Sequence, residues 1–166
     1  RQAEAAGFDF SADYPFALGR ALAQVHGSGL LTMFTIGCAG QIMLSAPFLQ
    51  QVTGEVRKQG GLYVADEVQT GFGRVGSHLW GFEMQNATPD IIVLGKPIGN
   101  GHPLAAVITR REIAEAFNNG MEYFTTFGGN PVACSAGLVV LNEILENGLM
   151  QSVIKLGEYF RTELNL

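Results

Sequence analysis

Four short apolar runs separated by helical stretches constrain the fold of this chain more than any other feature. "LLTMFTI" (30–36), "LYVADE" (62–67), "DIIVLG" (90–95) and "PLAAVIT" (103–109) each read as a buried strand. Helices are predicted around them. One spans 14–25 and stops near Gly27; another runs from Pro47 to about Gln59 and ends at Gly60-Gly61. A third covers 110–119, with Thr109 as N-cap and Glu112 at the capping-box spacing. A strong proline-opened helix covers 131–146 and ends at Asn147-Gly148, and a last one starts near Leu149. Short buried strands alternating with helices imply an α/β fold with a mainly parallel sheet flanked by helices.

Bulk properties narrow the function classes. A net charge of −5 disfavours a nucleic-acid or anionic-membrane binder, which needs a basic face. No apolar run approaches the ~20 residues that span a bilayer. Cys38 and Cys134 lie too far apart in sequence for a zinc spacing and suggest no disulfide framework, which fits a reduced cytoplasmic setting and leaves an organelle open. His26, His78 and His102 have no metal-ligand spacing, so no metal site is expected. The chain begins at Arg1 and ends at Leu166 inside a helical run, which suggests a piece of a longer protein.

The chemistry concentrates at strand ends, where α/β sheets gather ligands. Asp66 ends one strand and Lys96 follows another, 30 residues later, at the head of "KPIGNGHP". A half-buried lysine loses part of its charge stabilisation and becomes a nucleophilic amine able to form a Schiff base with an aldehyde. Pyridoxal 5'-phosphate is such an aldehyde. It needs an imine-forming lysine, an acid against its pyridinium nitrogen and a cradle for its phosphate. Lys96 and Asp66 offer the first two. "TTFGGNP" (125–131), just before a proline-opened helix, offers part of the third. Plainer readings exist for each alone: a solvated lysine, a turn acid at Asp66-Glu67, ordinary turn chemistry at Thr125-Thr126. His102 borders the same glycine-rich turn, and Trp80 and Phe82 read as core packing.

A second motif competes. "GFGRVG" matches the GxGxxG of a dinucleotide-binding module through Gly71, Gly73 and Gly76. In that fold the first glycine follows the strand directly and the third opens a helix. Here Val68, Gln69 and Thr70 intervene, and "SHLWGFEMQ" opens a helix poorly.

Three stretches together are more specific than any single motif. "GGLYVADEVQTGFGRVGSHLWGFE", "PDIIVLGKPIGNGHPLAAVIT" and "FTTFGGNPVACSAGLVVL" resemble, in order and separation, the class III pyridoxal-phosphate-dependent aminotransferases. The resemblance runs from about Gly37 to the C-terminus. It implies the fold type I aminotransferase architecture, with residues 1–166 forming part of the large cofactor-binding domain and further segments on both sides. It implies that Lys96 is the Schiff-base lysine, that Asp66 partners the pyridinium nitrogen, that Val68 packs on the cofactor ring and that Gln69 lies near its phenolic oxygen. Thr126 would bind phosphate in the neighbouring subunit of a homodimer.

The resemblance also implies small-molecule partners: an amine or amino acid as donor and a 2-oxo acid or aldehyde as acceptor. Two branches compete. "ADEVQTGFGR" and "FGGNPVAC" resemble alanine–glyoxylate-type aminotransferases. "GNGHP" and "GMEYF" resemble phospholyases acting on phosphoethanolamine or phosphohydroxylysine. Met33 stands where the family usually has glutamate, and residues 1–36 match poorly. The family's upstream phosphate loop, its ring-stacking aromatic and its downstream carboxylate-binding arginine have no counterpart here. The piece alone is therefore expected to be inactive.

Overall fold

The computed structural model describes residues 30–32, 35–36, 42–45, 47–118 and 120–164. The helix expected over 14–25, and the positions Met33 and Cys38, lie outside the described residues.

The main sheet has the order β1-β4-β5-β6, built from Leu30–Thr32, Tyr63–Asp66, Ile91–Leu94 and Ala106–Thr109. β1 and β4 pair in parallel, as do β4 and β5, with Asp66 opposite Val93. β5 and β6 pair antiparallel, Ile91 opposite Thr109 and Leu94 opposite Ala106. The sheet is therefore mixed, not mainly parallel. The reason is the connection: residues 95–105 hold only a four-residue 3-10 turn, Lys96–Gly99, and a parallel return needs a crossover of a dozen or more residues. The single strand expected over 30–36 is instead two, since β2 (Thr35–Ile36) pairs antiparallel with β3 (Ile42–Met43) in a separate two-stranded sheet.

Helix α1, Phe48–Lys58, lays Phe48, Leu49, Val52 and Val56 against Tyr63 and Ala65 of β4, with Phe82 and Ala87 completing the core. Its start has no cap of its own. Gln85, buried, does that work from the short 3-10 helix Gly81–Gln85: its Oε1 accepts from Leu49 N–H at 2.9 Å and its Nε2 donates to the Leu44 carbonyl at 3.2 Å. The helix stops at a Schellman turn, in which Gly60, at φ +75°, donates to Arg57 and Gly61 to Val56.

Helix α2, Arg111–Phe117, starts one residue later than the capping box predicted. Arg110 is its N-cap. The Thr109 hydroxyl belongs to the sheet instead, donating to the Asp90 carbonyl at 2.9 Å. Helix α3, Pro131–Glu146, has Asn130 as N-cap, its side chain accepting from Ala133 N–H at 2.9 Å. Helix α4, Leu149–Glu163, follows at a 67° bend. Among the described residues, no single helix is long and apolar enough to cross a membrane.

Asp90 fastens the N-terminal edge of the sheet. It is 7% exposed. One oxygen accepts from Tyr63 N–H at 2.9 Å and meets Arg57 at 3.2 Å, while the other meets Arg110 at 3.0 Å. The guanidinium groups are largely solvated and screened, so the buried Tyr63 amide is the more consequential partner. Asp90→Ala is expected to lower stability by about 1–3 kcal/mol in thermal melts, the cost of stranding a buried donor. Arg57→Ala or Arg110→Ala is expected to cost about 0–1 kcal/mol each. Equal losses at all three positions would count against this division.

Gly71 sits where its missing side chain is required. A Cβ there would lie 2.9 Å from the Glu67 carbonyl and 3.2 Å from the Trp80 ring. Gly71→Ala is expected to cost about 1–3 kcal/mol through overpacking, read as a lowered midpoint in urea.

Candidate cofactor site at the carboxyl edge of the sheet

Parallel pairing of β4 with β5 sends both strand ends to the same edge. Asp66 is the last residue of β4. Glu67 N–H continues the ladder to the Val93 carbonyl at 3.0 Å, so the β4 end is locked to the strand that delivers Lys96. Asp66 is half-buried. Its Oδ1 accepts from Val68 N–H at 3.1 Å, and its Oδ2 makes no hydrogen bond among the described residues.

Lys96 opens the 3-10 turn with φ +41°, a left-handed conformation unusual for a residue with a Cβ. Its amine is exposed and makes no ion pair among the described residues. The half-burial expected of it is not found among the described residues. Gly95 does bring the two turns together: a Cβ on it would stand 3.5 Å from Val68, so the Val68 side chain lies directly over the β5 end. Gln69 is half-buried and its side chain makes no hydrogen bond among the described residues. His102 is exposed, and among the described residues only its backbone N–H is engaged, to the Gly99 carbonyl at 2.9 Å.

Sequence reasoning passed over Glu67 as a turn acid. It is 1% exposed, and its carboxylate accepts from Thr70 Oγ1 at 2.9 Å, Gly81 N–H at 2.8 Å and Phe82 N–H at 3.0 Å. Burial pushes this carboxyl above the usual carboxylate range. The amides of Gly81 and Phe82 and the Thr70 hydroxyl pull the other way, and nearby Glu83 adds to the rise. Nothing local in the sequence announces these bonds, whose donors at 81 and 82 lie 14 and 15 residues on. On the same side of β4, burial also pushes up the Tyr63 phenol, and its hydroxyl lacks a partner among the described residues.

The GxGxxG glycines have a packing role. Gly73 and Gly76 adopt φ +72° and +77°. A Cβ on Gly73 would meet Met150 at 2.8 Å, and one on Gly76 would meet Ile154 at 2.8 Å. No helix follows Gly76 directly; residues 77–80 are irregular and Gly81–Gln85 is a single 3-10 segment. The motif thus seats the α3–α4 pair, and the geometry of a dinucleotide turn is missing. A cleft of about 510 Å³ lies there, lined by Phe72, Arg74, Pro97, Val140 and Met150 among others; Asp66 and Lys96 do not line it.

The 121–129 segment is exposed throughout, with Tyr123, Phe124 and Phe127 each more than three-quarters exposed. Thr125 closes a turn by accepting from Gly128 N–H at 3.1 Å. The Thr126 hydroxyl makes no hydrogen bond among the described residues. At the start of α3, Asn130 already takes the Ala133 amide, so fewer free donors stand there than the sequence suggested.

Comparison with known proteins places the chain in a family. The profile of the family described as aminotransferase class-III matches residues 29–166. The chain is 53% identical over 129 residues to an alanine–glyoxylate aminotransferase 2-like protein of Drosophila melanogaster, covering 77% of this chain and 26% of the relative. It is 43% identical over 123 residues to an ethanolamine-phosphate phospho-lyase homolog of Caenorhabditis elegans, covering 73% and 26%. Among solved structures, an ornithine aminotransferase from Plasmodium yoelii superposes with a TM-score of 0.82 at 36% identity, over 90% of this chain and 40% of that one. A phospholyase from Arthrobacter in complex with phosphoethanolamine gives 0.77 at 38%, over 95% and 41%. The chain therefore spans about a quarter of the length of these curated relatives. With a profile match over most of its length and an α/β fold shared with solved members, the chain belongs to the class III aminotransferase family.

Proposed function

We propose that this chain is part of the large cofactor-binding domain of a pyridoxal-phosphate-dependent, homodimeric aminotransferase that moves an amino group from an amine or amino acid to a 2-oxo acid or aldehyde. The observation that carries the reading is the placement of Asp66 and Lys96 at the ends of two adjacent parallel strands. The residues fit the group. Among the described residues one Asp66 oxygen has no partner and the Lys96 amine is unpaired, and Val68 forms a small apolar shelf over the β5 end.

Pyridoxal 5'-phosphate, when bound, supplies an aldehyde and a pyridinium ring that withdraws electrons from a carbanion. Lys96 Nζ is the amine that would hold that aldehyde. Asp66 Oδ2 would accept from the ring nitrogen and keep it protonated. Val68 and Gln69 would bear on the ring and its phenolic oxygen. Once displaced by substrate, Lys96 Nζ would take the proton from the substrate carbon and return it, serving as base and then acid. Thr126, exposed and without a side-chain hydrogen bond among the described residues, suits a phosphate ligand contributed to the neighbouring subunit. The exposed aromatics around it, and the exposed Val107 and Ile108 of edge strand β6, suit surfaces that other segments or a second subunit cover.

A second reading is a phospholyase, favoured by the likeness to the Caenorhabditis elegans homolog and the Arthrobacter structure. Both readings use the same lysine and acid. Release of inorganic phosphate from phosphoethanolamine without amino transfer would select the lyase.

Borohydride reduction of the full-length holoenzyme followed by mass mapping is expected to place the pyridoxyl adduct on Lys96 alone, and Lys96→Ala is expected to abolish it. An adduct retained in that variant, or scattered over Lys58 and Lys155 in the intact protein, would overturn the assignment. Asp66→Asn is expected to keep the cofactor bound and to slow turnover by about 100-fold or more, the scale of a lost preorganised charge partner. A near-wild-type rate would remove Asp66 from that role.

A further inference from the structure

The turn that carries Asp66, Val68 and Gln69 is held from behind by one buried carboxylate. Side chains alternate across β4: Tyr63 and Ala65 face the core, while Val64 and Asp66 are half-buried on the other face. Glu67 returns to the core side. Its carbonyl accepts from Gly71 N–H at 3.0 Å, and its carboxylate takes Thr70 from the same turn together with Gly81 and Phe82 from the next element. The turn is thus closed by its own residues and tied to a second segment through the same side chain. Val68 N–H, fixed by that closure, is the donor that orients Asp66 Oδ1.

We propose that Glu67 is a positioning residue of the cofactor site, acting through the 66–71 turn to set the direction of the Asp66 carboxylate and the seats of Val68 and Gln69. The inference rests on the reading of Asp66 and Lys96 given above. A carboxylate is a costly side chain to bury for stability alone, since an apolar residue fills a core without a desolvation penalty. What it provides is direction: two oxygens engage three donors from two segments, which an apolar residue cannot do. Thr70, 6% exposed, shares the role because its hydroxyl is the donor that comes from within the turn.

The test uses the full-length enzyme, stripped of cofactor and titrated with pyridoxal 5'-phosphate. Two quantities are read on folded protein: the dissociation constant, and the pH midpoint of the bound cofactor's absorption band. Glu67→Gln keeps the shape but turns a donor toward donors. It is expected to weaken cofactor affinity by about 10- to 100-fold, the range usual for groups that support ligand contacts, and to shift the midpoint. Thr70→Val keeps the carboxylate and removes one donor; a smaller shift in the same direction is expected. A Glu67 that only stabilises the fold would lower the melting temperature and leave both quantities at wild-type values, which would overturn the proposal. Should Glu67→Gln not fold, Thr70→Val decides alone: weakened affinity supports the role, and wild-type affinity overturns it. Asp66→Asn is measured alongside. If its midpoint moves while those of Glu67→Gln and Thr70→Val do not, only the positioning role fails. If Asp66→Asn changes neither midpoint nor turnover, the site reading fails and the proposal falls with it.

Discussion

Everything at the site depends on the parallel pairing of β4 with β5. Two strands running the same way must end at the same edge, whatever lies between them in sequence. That is how an acid and a lysine 30 residues apart come to the same edge of the sheet. The pairing is fixed at both ends. Asp90 joins the start of β5 to the start of β4 through the Tyr63 amide, and Glu67 N–H joins the end of β4 to Val93. A one-residue slip would turn Asp66 toward the core and expose Ala65 and Tyr63, so burial of the α1 face enforces the register.

The antiparallel edge strand β6 follows from the same economy of chain. The glycine-rich turn after Lys96 is short enough to fold β6 straight back on β5, and helix α3 then packs on that turn. A Cβ at Gly137 would come within 2.5 Å of Leu104 and 3.5 Å of the Ile98 carbonyl, so the helix backbone rests close on the turn that presents the lysine. The lysine's position is therefore set by strand, turn and helix together.

The strands β4, β5 and β6, the helices α1, α3 and α4, and the placement of Asp66 and Lys96 at strand ends were legible in the sequence because each is encoded locally, by apolar runs, proline and glycine punctuation, and polar residues at run ends. Helix α3 over Pro131–Glu146 matches its sequence signals residue for residue. What was illegible depends on distant partners. Thr109 has every local mark of an N-cap, yet its hydroxyl goes to Asp90 because that carbonyl lies across the β5–β6 ladder. Glu67 looks like a surface turn acid until the amides at 81 and 82 fold onto it. Gln85 caps a helix that begins 37 residues earlier in the chain, at Phe48. The GxGxxG string is a case of one pattern with two physical uses. Glycine was required at Gly73 and Gly76, but for positive φ and the close approach of α4, not for a pyrophosphate.

Lys96 also shows where the demands of folding and of chemistry part. A residue with a Cβ held at φ +41° costs roughly 1–2 kcal/mol that glycine would not. In a run already rich in glycine, the backbone alone would favour a fourth one at this position. Seen from the polypeptide's own thermodynamics, the lysine is a misfit at this position. That bend also ends the strand: with Lys96 and Asn100 both at positive φ, the chain leaves β5 and is returned to the sheet as the antiparallel β6.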